Sequence, residues 1–116
     1  MTPFRPLALA AAVAVAATAA LAHSGKETVV PAEGAVVAGS PPAIQMIFDG
    51  AMRITQIRLT DAAGKSYALQ RTDRMQPVLE FSAAPETLPP GDYRVEWRGI
   101  STDGHAMEGG WSFGVK

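Results

Sequence analysis

The chain has 116 residues, a formal net charge of −1 and no cysteine. The absence of cysteine excludes a disulfide framework, a thiol nucleophile, a cysteine zinc site and a blue-copper centre. Acidic and basic residues are nearly balanced, so the composition predicts no basic face for nucleic acid or for anionic lipid.

The first 22 residues have the features of a secretory signal peptide. Arg5 gives a short positive start, residues 7–21 are Leu, Ala and Val apart from Thr18, and residues 20–22 read A-L-A. A transmembrane anchor is the alternative, but a run of about 15 residues is shorter than the ~20 that span a bilayer. We expect cleavage between Ala22 and His23, export to the periplasm, and no membrane insertion of the mature chain.

Residues 23–116 are expected to form one small domain of short strands. Alternating apolar residues or β-rich composition predict strands near 44–48, 57–60, 65–70, 78–82, 92–98 and 111–115. The D-A-A-G sequence at 61–64 indicates a hairpin, and no window of the mature chain has a convincing helical stripe. Residues 24–42 and 70–77 are the least regular. This spacing predicts an all-β fold, a Greek-key sandwich or barrel of about seven strands.

The segment S-T-D-G-H at 101–105 carries the first candidate site residues. It lies between the two clearest strands, and Asp103 and His105 are two positions apart. In an extended segment such residues project to the same side, so a carboxylate and an imidazole can converge on one point. Gly104 between them permits a positive φ or a close approach of the backbone. By itself the pattern is weak, because D-G is common in turns.

His23 adds two further ligand atoms if it is the first residue of the mature protein. Its α-amine and an imidazole nitrogen then form a chelate, the arrangement called a histidine brace. Their reference pKa values, about 7.7–8.0 and about 6.5, allow a metal to displace both protons near neutral pH. With Asp103 and His105 the site offers nitrogen and oxygen donors that suit Cu(II). The alternative is an ordinary terminal residue in solvent.

The mature sequence resembles the CopC family of small periplasmic copper-binding proteins over essentially its whole length. The match comprises His23, P-A-E-G-A-V-V at 31–37, P-P-A-I-Q-M-I-F at 41–48 and the segment 88–116. Its most specific part is the pattern W-R-x-x-S-x-D-G-H-x-x-x-G-x-x-x-F-x-V, which begins at Trp97 and ends at Val115.

The resemblance implies a cupredoxin-like or Ig-like β-sandwich that binds one Cu(II) per mature chain through His23, Asp103 and His105. It also implies a monomeric, non-enzymatic carrier for copper resistance or homeostasis, and an inner-membrane partner of the CopD type.

The chain departs from some family members. Their Cu(I) sites combine a methionine-rich segment with a histidine, but here the mature methionines are scattered and no third histidine exists, so we expect no dedicated Cu(I) site. Met46 alternates with core residues and is expected to pack in the core. Asp49 and Glu108 could act in the outer shell of a metal site, although a solvated turn is the expected place for Asp49.

Two other functions remain open. Histidine braces also occur in copper-dependent polysaccharide mono-oxygenases, although a domain of this size has little room for a broad substrate face. A structural β-sandwich module that binds no metal is the other alternative.

Overall fold

The computed structural model describes residues 27–116, which form strands joined by turns and loops. The strands are β1 (Glu27–Val30), β2 (Val36–Val37), β3 (Ile44–Asp61), β4 (Ser66–Tyr67), β5 (Leu69–Arg71), β6 (Val78–Pro85), β7 (Gly91–Ser101) and β8 (Ala106–Val115). The predicted signal peptide and His23 lie outside the described residues. Within the described part, no helix is long and apolar enough to cross a membrane.

Strand β3 holds the two halves of the fold together. The sheet order is β2-β8-β7-β3-β6-β5, and β1 and β4 also pair with β3. The first half of β3 pairs with β1 and β6, whereas its second half pairs with β7 from Met52 to Asp61. Register shifts between Ile47 and Met52, and between Ile54 and Gln56, interrupt the regular pairing of this long strand. Such irregularities bend strands, and the curled sheet confirms the predicted all-β class.

The core is apolar and is built by the alternation that the sequence predicts. In β7, Tyr93, Val95 and Trp97 are buried, and their neighbours Arg94 and Glu96 are exposed. The buried residues of β8 are Trp111, Phe113, Gly114 and Val115. Among the described residues, none that is buried as a whole is polar or charged, and Trp97 and Trp111 are 2% and 3% exposed. Both tryptophans are therefore core residues.

The structure corrects three details of the predicted strands. The runs around 44–48 and 57–60 belong to one 18-residue strand, because the bulged region between them continues β3. Asp49 therefore lies exposed in a strand, whereas the sequence suggested a turn. Residues 24–42, predicted to be irregular, contain β1 and the two-residue strand β2, which pairs in parallel with β8. Strands this short give no detectable period in the sequence.

Candidate metal centre

The connection between β7 and β8 is a tight turn. The Ser101 N–H donates to the His105 carbonyl at 2.9 Å, and the Gly104 N–H donates to the Ser101 carbonyl at 2.9 Å. Gly104 has a φ of 86°, a conformation that glycine adopts without the steric cost of a side chain. The D-G-H sequence thus closes the hairpin and holds its two polar side chains at the tip.

Asp103 and His105 are in direct contact, as the two-residue spacing suggested. His105 Nδ1 lies 2.7 Å from Asp103 Oδ2, and the His105 backbone N–H donates to Asp103 Oδ1 at 3.3 Å. The Ser101 hydroxyl donates to Asp103 Oδ1. Both side chains are exposed, His105 to 76% and Asp103 to 63%. The pair is therefore preformed and open to a ligand from solvent.

The hydrogen bonds around Asp103 indicate which nitrogen of His105 can bind a metal. The Ser101 hydroxyl, and then His105, lower the pKa of Asp103 to about 2, so this group is a carboxylate near neutral pH. A carboxylate only accepts hydrogen bonds, so His105 Nδ1 carries the proton in this contact. In the neutral imidazole, the form that binds a metal, Nε2 is then the nitrogen with the free lone pair. A carboxylate holding the far nitrogen of an imidazole is a common arrangement around bound metals.

Among residues 27–116 no group of three His, Asp or Glu side chains could hold a metal ion. Asp103 and His105 are thus a pair, and the third predicted ligand, His23, lies outside the described residues. Glu108 does not join them: its carboxylate lies 3.9 Å from Arg98 Nε on the outer face of the sheet. Met46 is buried in the core, as predicted.

The start of β1 and the end of β7 lie along the same edge of β3. Glu27 is opposite Phe48, and Ser101 is opposite Met52, four positions further along β3. Four residues of a strand span at most about 13 Å, also where a register shift interrupts the pairing, as it does here. Residue 23 is also four residues before Glu27, and a chain of that length can span about 13 Å. The chain that precedes β1 is therefore long enough to reach the Ser101–His105 turn.

Glu27 forms a feature of this end of the fold that the sequence did not reveal. Its carboxylate lies beside Trp97 and Gly109: a side chain on Gly109 would come within 3.0 Å of Glu27 Oε1 and 2.7 Å of Trp97 Nε1. Glu27 Oε2 and Trp97 Nε1 are buried without a partner that meets hydrogen-bond geometry. Burial raises the pKa of Glu27, and the nearby Trp97 indole partly offsets this increase. A lone Glu in a short strand carries no sequence signal for such burial.

We expect Glu27→Gln to raise the melting temperature at neutral pH. A raised pKa in the folded state means that ionisation of Glu27 opposes folding, so stability falls as pH rises above the ordinary value of 4.5. The neutral amide removes this cost. Thermal unfolding across pH measures the effect, and the gain should disappear well below pH 4.5. Glu108→Gln, at an exposed site, is the control; an equal gain there, or none in Glu27→Gln, would contradict the assignment.

The fold and the His–Asp pair together define a small β-sandwich protein with an exposed imidazole suited to a metal. The chain belongs to the CopC family: the family's CopC domain matches residues 26–116. The resemblance noted from the sequence is therefore confirmed.

Named relatives and solved structures agree with this membership. Copper resistance protein C of Escherichia coli is 30% identical over 110 residues, which cover 86% of each chain. Protein YobA of Escherichia coli K12 is 30% identical over 100 residues, covering 82% of this chain and 80% of YobA.

The crystal structure of CopC from Methylosinus trichosporium OB3b matches with a TM-score of 0.64 and 27% identity, over 78% of this chain and 93% of that one. PcoC of Escherichia coli, described as a methionine-rich copper resistance protein, matches with a TM-score of 0.63 and 30% identity. The match covers 80% of this chain and 97% of that one.

Proposed function

We propose that this protein is a periplasmic copper carrier whose mature chain, residues 23–116, binds one Cu(II) ion. His23 would supply its α-amine and an imidazole nitrogen, and His105 would supply Nε2. Asp103 would complete the site. The observation that carries this proposal is the exposed pair in which Asp103 holds His105 Nδ1 at 2.7 Å, within reach of a chain that starts at residue 23.

The chemistry of the donors favours Cu(II) over other metals. Imidazole, amine and carboxylate suit a tetragonal Cu(II) site, and copper has the highest affinity in the divalent series. In the structure one Asp103 oxygen faces the imidazole and the other accepts from Ser101. Asp103 can therefore orient His105 as a ligand of the metal. It can also bind the metal itself once one of its oxygens releases its present contact.

A carrier role fits the site better than catalysis. The turn that holds Asp103 and His105 is a narrow hairpin tip, whereas a polysaccharide mono-oxygenase needs a broad face for its substrate. The copper would be cargo for resistance, homeostasis or delivery to a CopD-type importer in the inner membrane, and the carrier would act as a monomer. No Cu(I) site is part of the proposal, because of the four described methionines Met46 and Met52 are buried, Met107 packs against the core and Met75 is exposed.

Copper titration of the mature chain tests the proposal. One equivalent of Cu(II) should bind and raise the melting temperature, because a ligand of the native state alone stabilises it. A melting temperature unchanged by Cu(II) would instead support the metal-free structural module.

We expect Asp103→Asn to weaken Cu(II) binding by about 10- to 100-fold, the usual cost of losing the carboxylate partner of a ligand histidine. The amide keeps the shape of the side chain but loses the charge. Competition titration against a copper chelator measures the change. Asp92→Asn makes the same chemical change at an exposed position at the other end of β7 and should bind copper like the wild type. Equal affinities for the two variants would remove Asp103 from the site.

A further inference from the structure

The outer face of the β3-β7-β8 sheet concentrates the positive charge of the domain. Its arginines are Arg53 and Arg58 on β3 and Arg94 and Arg98 on β7, and all four are exposed. We call this surface the arginine face. Eight Lys and Arg residues lie within residues 27–116, since Arg5 and Lys26 precede them, and half of these are on this face.

The acidic residues are distributed in the opposite way. All eleven Asp and Glu residues of the chain lie within residues 27–116. Only Glu96, Glu108 and, at the start of β7, Asp92 are on the same face. The rest of the described surface is therefore clearly acidic. The balanced composition predicted no basic face, and that expectation missed the asymmetry because net charge contains no information about position.

The ion pairs on the arginine face leave much of its charge available. Arg94 is engaged: its Nε lies 3.1 Å from Glu96 Oε1, and its Nη1 lies 3.3 Å from Ser112 Oγ. Arg98 is held only loosely by Glu108, at 3.9 Å, with both side chains more than 70% exposed. Among the described residues Arg58 forms no ion pair, although it lies opposite Glu96 in the register. Exposed pairs of this kind contribute little and exchange readily.

The face also contains a groove, because its middle lacks a side chain. Gly110 lies opposite Glu96, and a side chain there would come within 2.8 Å of Arg94 Nη2. The groove has a volume of about 490 Å³. Three arginines and two glutamates contribute to its lining: Arg58, Arg94, Arg98, Glu96 and Glu108.

We propose that the arginine face docks an acidic segment of a partner protein, with Asp or Glu side chains of that segment paired to Arg58 and Arg98 along the groove. Guanidinium groups bind carboxylates through two parallel hydrogen bonds, and clusters of arginine are a recurrent means of recognising acidic motifs. Glu96 and Glu108 between the arginines favour a protein over a lipid surface. A protein segment can place its carboxylates beside the arginines alone, whereas a uniformly anionic membrane would also meet the two glutamates.

The test uses a peptide of ten glutamates and the metal-free mature protein, so its outcome does not depend on the copper site. In a nuclear magnetic resonance titration at low ionic strength, the peptide should shift the amide signals of Gly109 and Gly110 and the side-chain signals of Arg58 and Arg98. Added salt should reverse the shifts, because exposed charges are screened.

Two double variants with the same change in charge distinguish docking from general attraction. Arg58→Gln/Arg98→Gln should bind the peptide about three- to tenfold more weakly, in line with two exposed ion pairs. Arg74→Gln/Lys116→Gln removes the same charge elsewhere and should bind within about twofold of the wild type. Equal losses in both variants would overturn the proposal, as would shifts that map to another surface. Groove signals that respond to phosphatidylglycerol vesicles and not to the peptide would assign the face to a membrane instead.

Discussion

One extra alanine before His23 should lower the Cu(II) affinity of the mature chain by on the order of 100-fold or more. The extension keeps both imidazoles and Asp103 but converts the α-amine of His23 into an amide, which no longer binds as a neutral amine. Loss of an outer partner already costs about 10- to 100-fold, and the extension removes a direct donor together with its chelate ring.

Competition titration measures this affinity, and an alanine added after Lys116 is the matched control with the same composition. The control should bind like the wild type. Mass spectrometry of protein purified from the periplasm should show a chain that begins at His23. If the chain extended before His23 binds as tightly as the control, the histidine brace is wrong, although a site made from imidazoles and Asp103 would survive.

Trp97→Ala should reduce the free energy of unfolding by about 3–5 kcal/mol, the usual range for removing a large aromatic side chain from a core. Trp97 is only 2% exposed. Its ring lies 5.4 Å from that of Phe48, at an interplanar angle of 70°, and its indole fills the space beside Gly109. The substitution would leave a cavity between the halves of the sheet and remove the indole beside Glu27.

Urea denaturation of the metal-free protein measures this loss. Arg98→Ala, at the next position in the same strand, exchanges an exposed side chain and should change stability by about 0.5 kcal/mol or less. A cost under about 1 kcal/mol for Trp97→Ala would mean that the core closes over the cavity, contrary to the packing described.

The sequence predicted that Asp103 and His105 lie together, but not how they contact each other. The spacing of Asp103 and His105 indicated that both side chains would converge, and they do so at 2.7 Å. From the sequence alone, however, Asp103 and His105 were expected to be two separate donors to the metal. The hydrogen bond from Ser101 and the contact with His105 Nδ1 depend on the hairpin turn, and they show how the carboxylate can orient the imidazole.

Other features could not be predicted because they depend on which strands become neighbours. The raised pKa of Glu27 results from burial of its carboxylate, which outweighs the lowering effect of the Trp97 indole; residues 27 and 97 are far apart in the chain. The arginine face has the same origin: Arg58 and Arg98 become neighbours through the pairing of β3 with β7.

The sequence by itself determined the all-β class, the inward and outward faces of β7 and β8, and the family to which the chain belongs. These follow from local period and motif, since alternation along a strand decides which side chains are buried. Only the tertiary structure decided that β3 is one bulged strand shared by both halves of the fold, that Asp103 holds His105, and that the arginines gather on one face. Strand pairing joins residues distant in sequence, and no local pattern specifies these contacts.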